Sequence, residues 1–213
     1  MADIFQEVEE ELRRDNLIKL WRRYAWYIIG AAVAIVVGTA AYVGWRQFEA
    51  SRHLERARQY AAAIDLIGQT DHTAALQAFS AVAGGSDGFA ALARLQQARL
   101  LAKGGDGAAA IAVYDQMATD DRLQQPYRDL ALILLAINDL DKGDATTLIE
   151  RLAPLTADDN PWRFTALEIT GLLATRAGQM ARARDIFVHL SDDLNAPPGV
   201  RERATELLAS LPS

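Results

Sequence analysis

Hydrophobic and polar positions divide the chain into a short charged segment, one long uncharged stretch and an Ala/Leu-rich remainder. The uncharged stretch runs from Tyr24 to Trp45 and has 22 residues without Asp, Glu, Lys or Arg. As a helix it would be about 33 Å long, close to the thickness of a bilayer's hydrocarbon core. Aromatic residues at both of its ends are typical of the membrane–water interfaces: Tyr24, Trp26, Tyr27, Tyr42 and Trp45. The pattern predicts one transmembrane helix over residues 24–45.

Two other interpretations of this stretch are a cleaved signal peptide and the core helix of a soluble protein. A cleaved signal peptide has an apolar core of about 7 to 15 residues, which is shorter than this stretch and does not follow 23 charged and mixed residues. The core helix of a soluble protein rarely stays uncharged over such a length between two aromatic clusters. Both interpretations fit the sequence less well than a permanent anchor.

The 23 residues before the stretch form the predicted cytoplasmic segment. Residues 1–16 have the apolar spacing of a short amphipathic helix. Five cations precede the stretch and four follow it closely, so the charge bias only slightly favours a cytoplasmic N-terminus. Within the stretch, a ridge of small residues would let another helix approach closely: Gly30, Ala34 and Gly38.

The remainder, residues 46–213, is predicted to be all-α. Helix-forming segments of about 10 to 20 residues alternate with short turns rich in Gly, Asp and Pro, and no segment alternates with period two. Four residues begin the second helix of successive hairpins, at spacings of 35, 38 and 35: Asp71, Asp106, Asp144 and Gln179. A repeat of this length predicts a helical solenoid.

Bulky and small residues recur in register with these four positions. Eight residues after them come Phe79, Tyr114, Leu152 and Phe187, four after them Ala75, Ala110, Leu148 and Ala183, and eight before them Ala63, Ala98, Ala136 and Gly171. The pattern resembles the tetratricopeptide repeat, although the Trp and the Leu-Gly pair of its first helix are absent. The resemblance implies four degenerate repeats over residues 46–83, 89–118, 126–155 and 161–190. A closing helix over residues 198–211 would then cap the stack.

Composition and charge argue against several function classes. The net charge of −6 argues against nucleic acid as a partner, because phosphate binding needs clustered Lys and Arg. The chain has no Cys, and its three His residues lack the spacing of metal ligands: His53, His72 and His189. Motifs for a nucleophile, a phosphate loop or an acid/base pair are missing too. We therefore expect no metal, no cofactor and no enzyme activity.

The expected binding surface follows from the repeat resemblance. In tetratricopeptide-like stacks the first helices line a concave groove, and the resemblance places ten residues in it: Tyr60, Ile64, Leu92, Leu95, Arg99, Leu130, Ile133, Ile137, Leu140 and Leu172. The four positions that the third repeat contributes, Leu130, Ile133, Ile137 and Leu140, are all apolar and suit an apolar protein segment. Alternatively, the first helix of the third hairpin lies at the centre of the domain and is buried on all sides.

The whole layout resembles the YfgM-like ancillary subunits of the bacterial Sec translocon. The resemblance rests on the acidic N-terminal segment, the span ending Val43-Gly44-Trp45 and the repeats after it. It implies a single-pass inner-membrane protein whose periplasmic repeat domain meets the translocon channel, a membrane-bound periplasmic chaperone and client polypeptides. A subunit of another inner-membrane complex is the alternative function. An enzyme with an unrecognised site is the rival from another class.

Overall fold

The computed structural model describes residues 3–69 and 71–212, with side chains described for 23, 24, 26, 27, 29–69 and 71–212. The helices in chain order are α1 Asp3–Gly68, α2 His72–Ala83, α3 Gly88–Lys103, α4 Gly107–Thr119, α5 Gln125–Asn138, α6 Ala145–Leu152, α7 Arg163–Arg176, α8 Met180–Asp192 and α9 Pro198–Ser210. A 3-10 turn at Ala153–Thr156 follows α6. No strand occurs among the described residues, and the predicted all-α class is confirmed.

The chain divides into two compact units, Met1–Glu55 and Arg56–Ser213. In the first unit, every described side chain from Arg23 onward is exposed. The predicted amphipathic faces of residues 1–16 lie outside the described side chains. The second unit contains the hydrophobic core, so the folded repeat domain begins inside the C-terminal part of α1.

Aspartates begin the second helices of the first three hairpins. The side chain of Asp71 accepts a hydrogen bond from the backbone N–H of Ala74 at 3.0 Å, and Asp106 accepts one from Ala109 at 3.0 Å. Asp144 accepts one from the backbone N–H of Thr147 at 2.7 Å. A carboxylate at this position satisfies a free N–H and favours the positive end of the helix dipole. The spacing of these residues therefore fixes where each second helix starts.

Two hairpin turns use a left-handed glycine. Gly105 follows α3 with φ of 87°, and Gly178 follows α7 with φ of 74°. Residues with a Cβ adopt this conformation only with strain, so glycine is favoured in the turns that end these first helices. Each glycine immediately precedes the residue that begins the next helix.

The bulky and small residues of the repeat pattern meet in the core. The four bulky residues are all buried: Phe79, Tyr114, Leu152 and Phe187. The small or aliphatic residues in register with them are buried as well. At Gly171 an added Cβ would lie 2.5 Å from Cε1 of Phe187, so the backbone of α7 approaches the ring as closely as glycine permits.

The third hairpin departs from the other three. Helix α6 has only eight residues and gives way to the 3-10 turn, with Pro154 at the start of that turn. Proline lacks the N–H that would continue the helix. Leu148, Leu152 and Leu155 nevertheless remain buried, so the third hairpin keeps its core contacts with a shorter second helix.

Helix α9 packs on the last hairpin. Val200, Ala204 and Leu211 are buried, and the chain end is bound by Arg184, which donates to the carbonyl oxygen of Pro212 at 2.7 Å. Arg203 donates two hydrogen bonds to the carboxylate of Glu168 on α7, at 2.6 and 2.7 Å. These contacts suit the predicted capping role of α9, which stays a prediction.

Candidate partner-binding surface

The residues predicted to line a groove lie on the first helices of the hairpins. Tyr60 and Ile64 lie on α1, Leu92, Leu95 and Arg99 on α3, Leu130, Ile133 and Ile137 on α5, Leu140 in the turn after α5, and Leu172 on α7. They differ widely in exposure. This difference separates residues that could touch a partner from residues that hold the fold.

Three apolar residues of this set are exposed to solvent. The exposed fractions are 36% for Ile64, 37% for Leu92 and 49% for Ile137. Arg99, which belongs to the same predicted set, is exposed as well. Exposed large aliphatic side chains on the first helices of successive hairpins are typical of an interaction surface. We call Ile64, Leu92, Arg99 and Ile137 the binding face.

The prediction that Ile133 lines an open groove is wrong. Its side chain is 2% exposed and belongs to the largest core cluster, together with Leu148 and Leu152. Helix α5 contacts α3, α4, α6 and α7, so its middle part lies among four other helices. The alternative of a central, buried helix therefore holds for this part of α5, although Ile137 remains exposed.

Other predicted groove residues mainly support the core. Tyr60 packs against Phe79 and Phe89 with ring centroids 5.7 and 6.0 Å away. Leu95, Leu140 and Leu172 are partly buried against the largest core cluster, and Leu130 is partly buried as well. These residues can form the floor of a binding face, but their exposed area is small.

The exposed cation of Arg99 interacts electrostatically with a buried phenol, that of Tyr114. Burial raises the pKa of the Tyr114 hydroxyl on α4, and the positive charge of Arg99 partly opposes that shift.

A polar cavity of about 530 Å³ lies between α2, α3 and α4 and includes Arg94, Asp120 and Arg122. Arg94 donates to Asp120 at 2.8 Å and to the carbonyl oxygens of Ala83 and Gly85 at 2.8 and 2.9 Å. Hydrogen bonds from Arg122 and, to a smaller extent, from Arg94 hold the pKa of the Asp120 carboxyl well below its usual range. The sequence pattern did not predict this cluster, because Arg94 lies 26 residues before Asp120 and the three residues belong to no motif.

Within the part of the chain that the structure describes, no group of three His, Cys, Asp or Glu is placed to hold a metal ion. His189 lies 3.1 Å from a guanidinium nitrogen of Arg163. A positively charged neighbour at this distance disfavours a bound cation at that ring.

Comparison with known proteins decides the family. The tetratricopeptide repeat-like domain family matches residues 19–201. The chain belongs to the tetratricopeptide repeat-like domain family. Among solved structures, this family member resembles nearly identical TPR-like repeats of a kinesin light chain from Podosopora anserina. The TM-score is 0.54 at 15% identity, over 72% of this chain and 83% of that chain, which shows a shared fold. No curated protein sequence matches the chain.

Family membership gives the binding face a role. Stacked tetratricopeptide-like repeats form extended surfaces that bind other proteins, and they are typically scaffolds without catalysis. The repeat domain therefore functions in protein–protein interaction.

The described part of this tetratricopeptide-like chain has one helix long and apolar enough to cross a membrane, by length and composition: Ile29–Gly68, close to the N-terminus. Along the predicted small-residue ridge, Gly30, Ala34 and Gly38 are exposed. A Cβ added at either glycine would meet no atom within 4 Å. Packing of another helix on this ridge stays a prediction.

Proposed function

We propose that the chain is a single-pass inner-membrane adaptor associated with the Sec translocon. Its repeat domain would lie in the periplasm and bind a membrane-bound periplasmic chaperone, emerging client proteins, or both. The observation that carries this proposal is the pairing of an exposed, uncharged helical stretch with a repeat domain that bears exposed apolar side chains. The partner assignment rests on the resemblance of the layout to YfgM-like subunits.

Exposure of the uncharged stretch supports the anchor. Ile35, Val36 and Val37 are 68%, 67% and 60% exposed, and Trp26 and Trp45 are 81% and 69% exposed. Burying one such aliphatic side chain contributes about 1.5–3 kcal/mol. Leaving a whole helix of them in water would forgo that gain many times over, whereas hydrocarbon solvates them well. We therefore propose residues 24–45 as the membrane span.

The binding face supports an adaptor role. Ile64, Leu92 and Ile137 come from three successive hairpins, so a partner that crosses the stack can touch all of them. The polar cavity between α2, α3 and α4 offers a poor alternative, because Arg94 and Asp120 already bond to each other and to groups of the chain. A non-catalytic protein-binding role fits both observations.

The natural absence of cysteine permits a direct test of the anchor and its orientation. Ser210→Cys places one thiol at an exposed position of α9, and Asn16→Cys places one before the span. In intact cells with a permeable outer membrane, an impermeant maleimide is expected to label Ser210→Cys. The Asn16→Cys variant should react only after the inner membrane is opened. The reverse pattern, or equal labelling of both variants, would contradict the proposed topology.

A further inference from the structure

Four residues at equivalent repeat positions form a row across the first helices. Ile64, Arg99, Ile137 and Leu172 each lie seven residues before the residue that begins the next helix. Their spacings of 35, 38 and 35 residues are those of the repeat itself. Because stacked repeats place equivalent positions side by side, we call these four residues the crossing row.

The crossing row is more exposed than the row beside it. Ile64 and Ile137 are 36% and 49% exposed, Arg99 is exposed and Leu172 is partly buried. One turn earlier in the same helices, Tyr60 and Leu95 pack against core clusters and Ile133 is buried. A partner would therefore meet the crossing row first.

The helices that carry the row are neighbours in space. Ring contact between Tyr60 and Phe89 joins α1 to α3, and α5 contacts both α3 and α7. Axes of packed helices lie about 8–10 Å apart. Ile64 and Ile137 are then about 16–20 Å apart, with Arg99 near the midpoint.

Arg99 has a free guanidinium at this midpoint. Several arginines of the domain are bound to carboxylates, as in the pairs Arg94–Asp120, Arg151–Asp115 and Arg203–Glu168. Among the described residues, no carboxylate lies within ion-pair distance of Arg99. A free cation between two apolar residues favours a partner that brings a negative charge there and disfavours one that covers it with apolar groups.

Geometry selects the backbone conformation of that partner. Polyproline II has three residues per turn and rises about 3.1 Å per residue, so residues 1, 4 and 7 share one side and span about 19 Å. In a β-strand the fourth residue points away from the first and seventh. An α-helix needs about 11–13 residues to span this distance, and the residue midway then lies near the opposite side.

We propose that the crossing row binds an extended, polyproline II-like protein segment with apolar residues at positions 1 and 7 and Asp or Glu at position 4. The apolar residues contact Ile64 and Ile137, and the carboxylate pairs with Arg99. This inference rests on the proposed protein-binding function and names the chemistry of the segment that the surface recognises.

Terminally blocked, fluorescein-labelled peptides test this proposal. Their binding to the full chain in detergent micelles is measured by fluorescence anisotropy. The probe is Leu-Pro-Ser-Glu-Pro-Ser-Leu, and its relatives carry Gln or Lys in place of Glu. An ion pair at an exposed site contributes up to about 1 kcal/mol, so we expect the Glu peptide to bind up to about fivefold more tightly than the Gln peptide. Arg99→Glu should reverse the preference in favour of Lys, whereas Lys103→Glu, one turn away, should leave it unchanged.

Equal affinities, a preference that survives Arg99→Glu, or no binding of any peptide would each overturn the inference. If the peptide test fails, copurification of protein partners with the Ile137→Asp variant shows whether the proposed protein-binding function fails as well. Loss of partners in Ile137→Asp and their retention in Val188→Asp, an exposed control on α8, would keep the binding face and reject only the peptide chemistry. Retention in both variants would reject the face itself.

Discussion

Phe187→Ala is expected to lower the free energy of unfolding of the repeat domain by about 3–5 kcal/mol. The ring is fully buried on α8 in the largest core cluster, where it contacts the backbone of α7 at Gly171. Removing it leaves a cavity that rigid helices on both sides cannot close. Chemical denaturation of the full chain in detergent, followed by far-UV circular dichroism, measures the loss. A loss below about 1 kcal/mol would contradict this packing.

Gly171→Ala tests the same contact from the other side. Alanine favours a helix interior over glycine by about 1 kcal/mol, but its Cβ would overlap the Phe187 ring. We expect a net destabilisation of about 1–2 kcal/mol, because overpacking a rigid core outweighs the propensity gain. In a Phe187→Leu background the same change should cost less. Additive effects of the two substitutions would show that the residues do not touch.

The second large effect is expected from ending the chain at Pro197. This truncation removes α9 and uncovers the face of the last hairpin that Val200, Ala204 and Leu211 cover. A solenoid needs a terminal unit with a polar outer face, so the truncated chain should aggregate or unfold at least about 10 °C lower. Thermal unfolding and light scattering measure the two outcomes. An unchanged midpoint in a monodisperse sample would contradict the capping role.

Arg203→Gln is the matched control for the truncation. It removes the charge-assisted pair with Glu168 but keeps the apolar contacts of α9. Because the Arg203 side chain is half exposed, we expect a loss of less than about 1 kcal/mol. A drop as large as that of the truncation would assign the capping effect to the ion pair.

Local chemistry explains why much of the fold could be predicted from the sequence. Carboxylates that begin helices and glycines that end them act within a few residues, so Asp106 and Gly178 mark their turns directly. As Phe187 lies against Gly171, the bulky and the small residue of each other hairpin belong to the same core cluster. Such complementary positions, repeated at a constant period, predict stacked hairpins without knowledge of any distance.

Exposure depends on contacts between hairpins, and the sequence predicted it less well. Ile133 and Ile137 are four residues apart on α5, yet one is buried and the other is half exposed. The difference comes from how α4, α6 and α7 surround α5, which no single repeat encodes. The short α6 and its 3-10 turn are part of that arrangement. A repeat pattern therefore gives the candidate face, and packing selects the residues that remain on it.

Photocrosslinking from Ile137 in living cells would identify the protein that lies against the binding face. A photoreactive amino acid replaces Ile137 in the full membrane-bound chain, and the matched control carries it at Val188 on α8. We predict that Ile137 captures the translocon channel, the membrane-bound periplasmic chaperone or an emerging client, and that Val188 does not. Capture of a different inner-membrane complex at Ile137, or the same products from both positions, would contradict it.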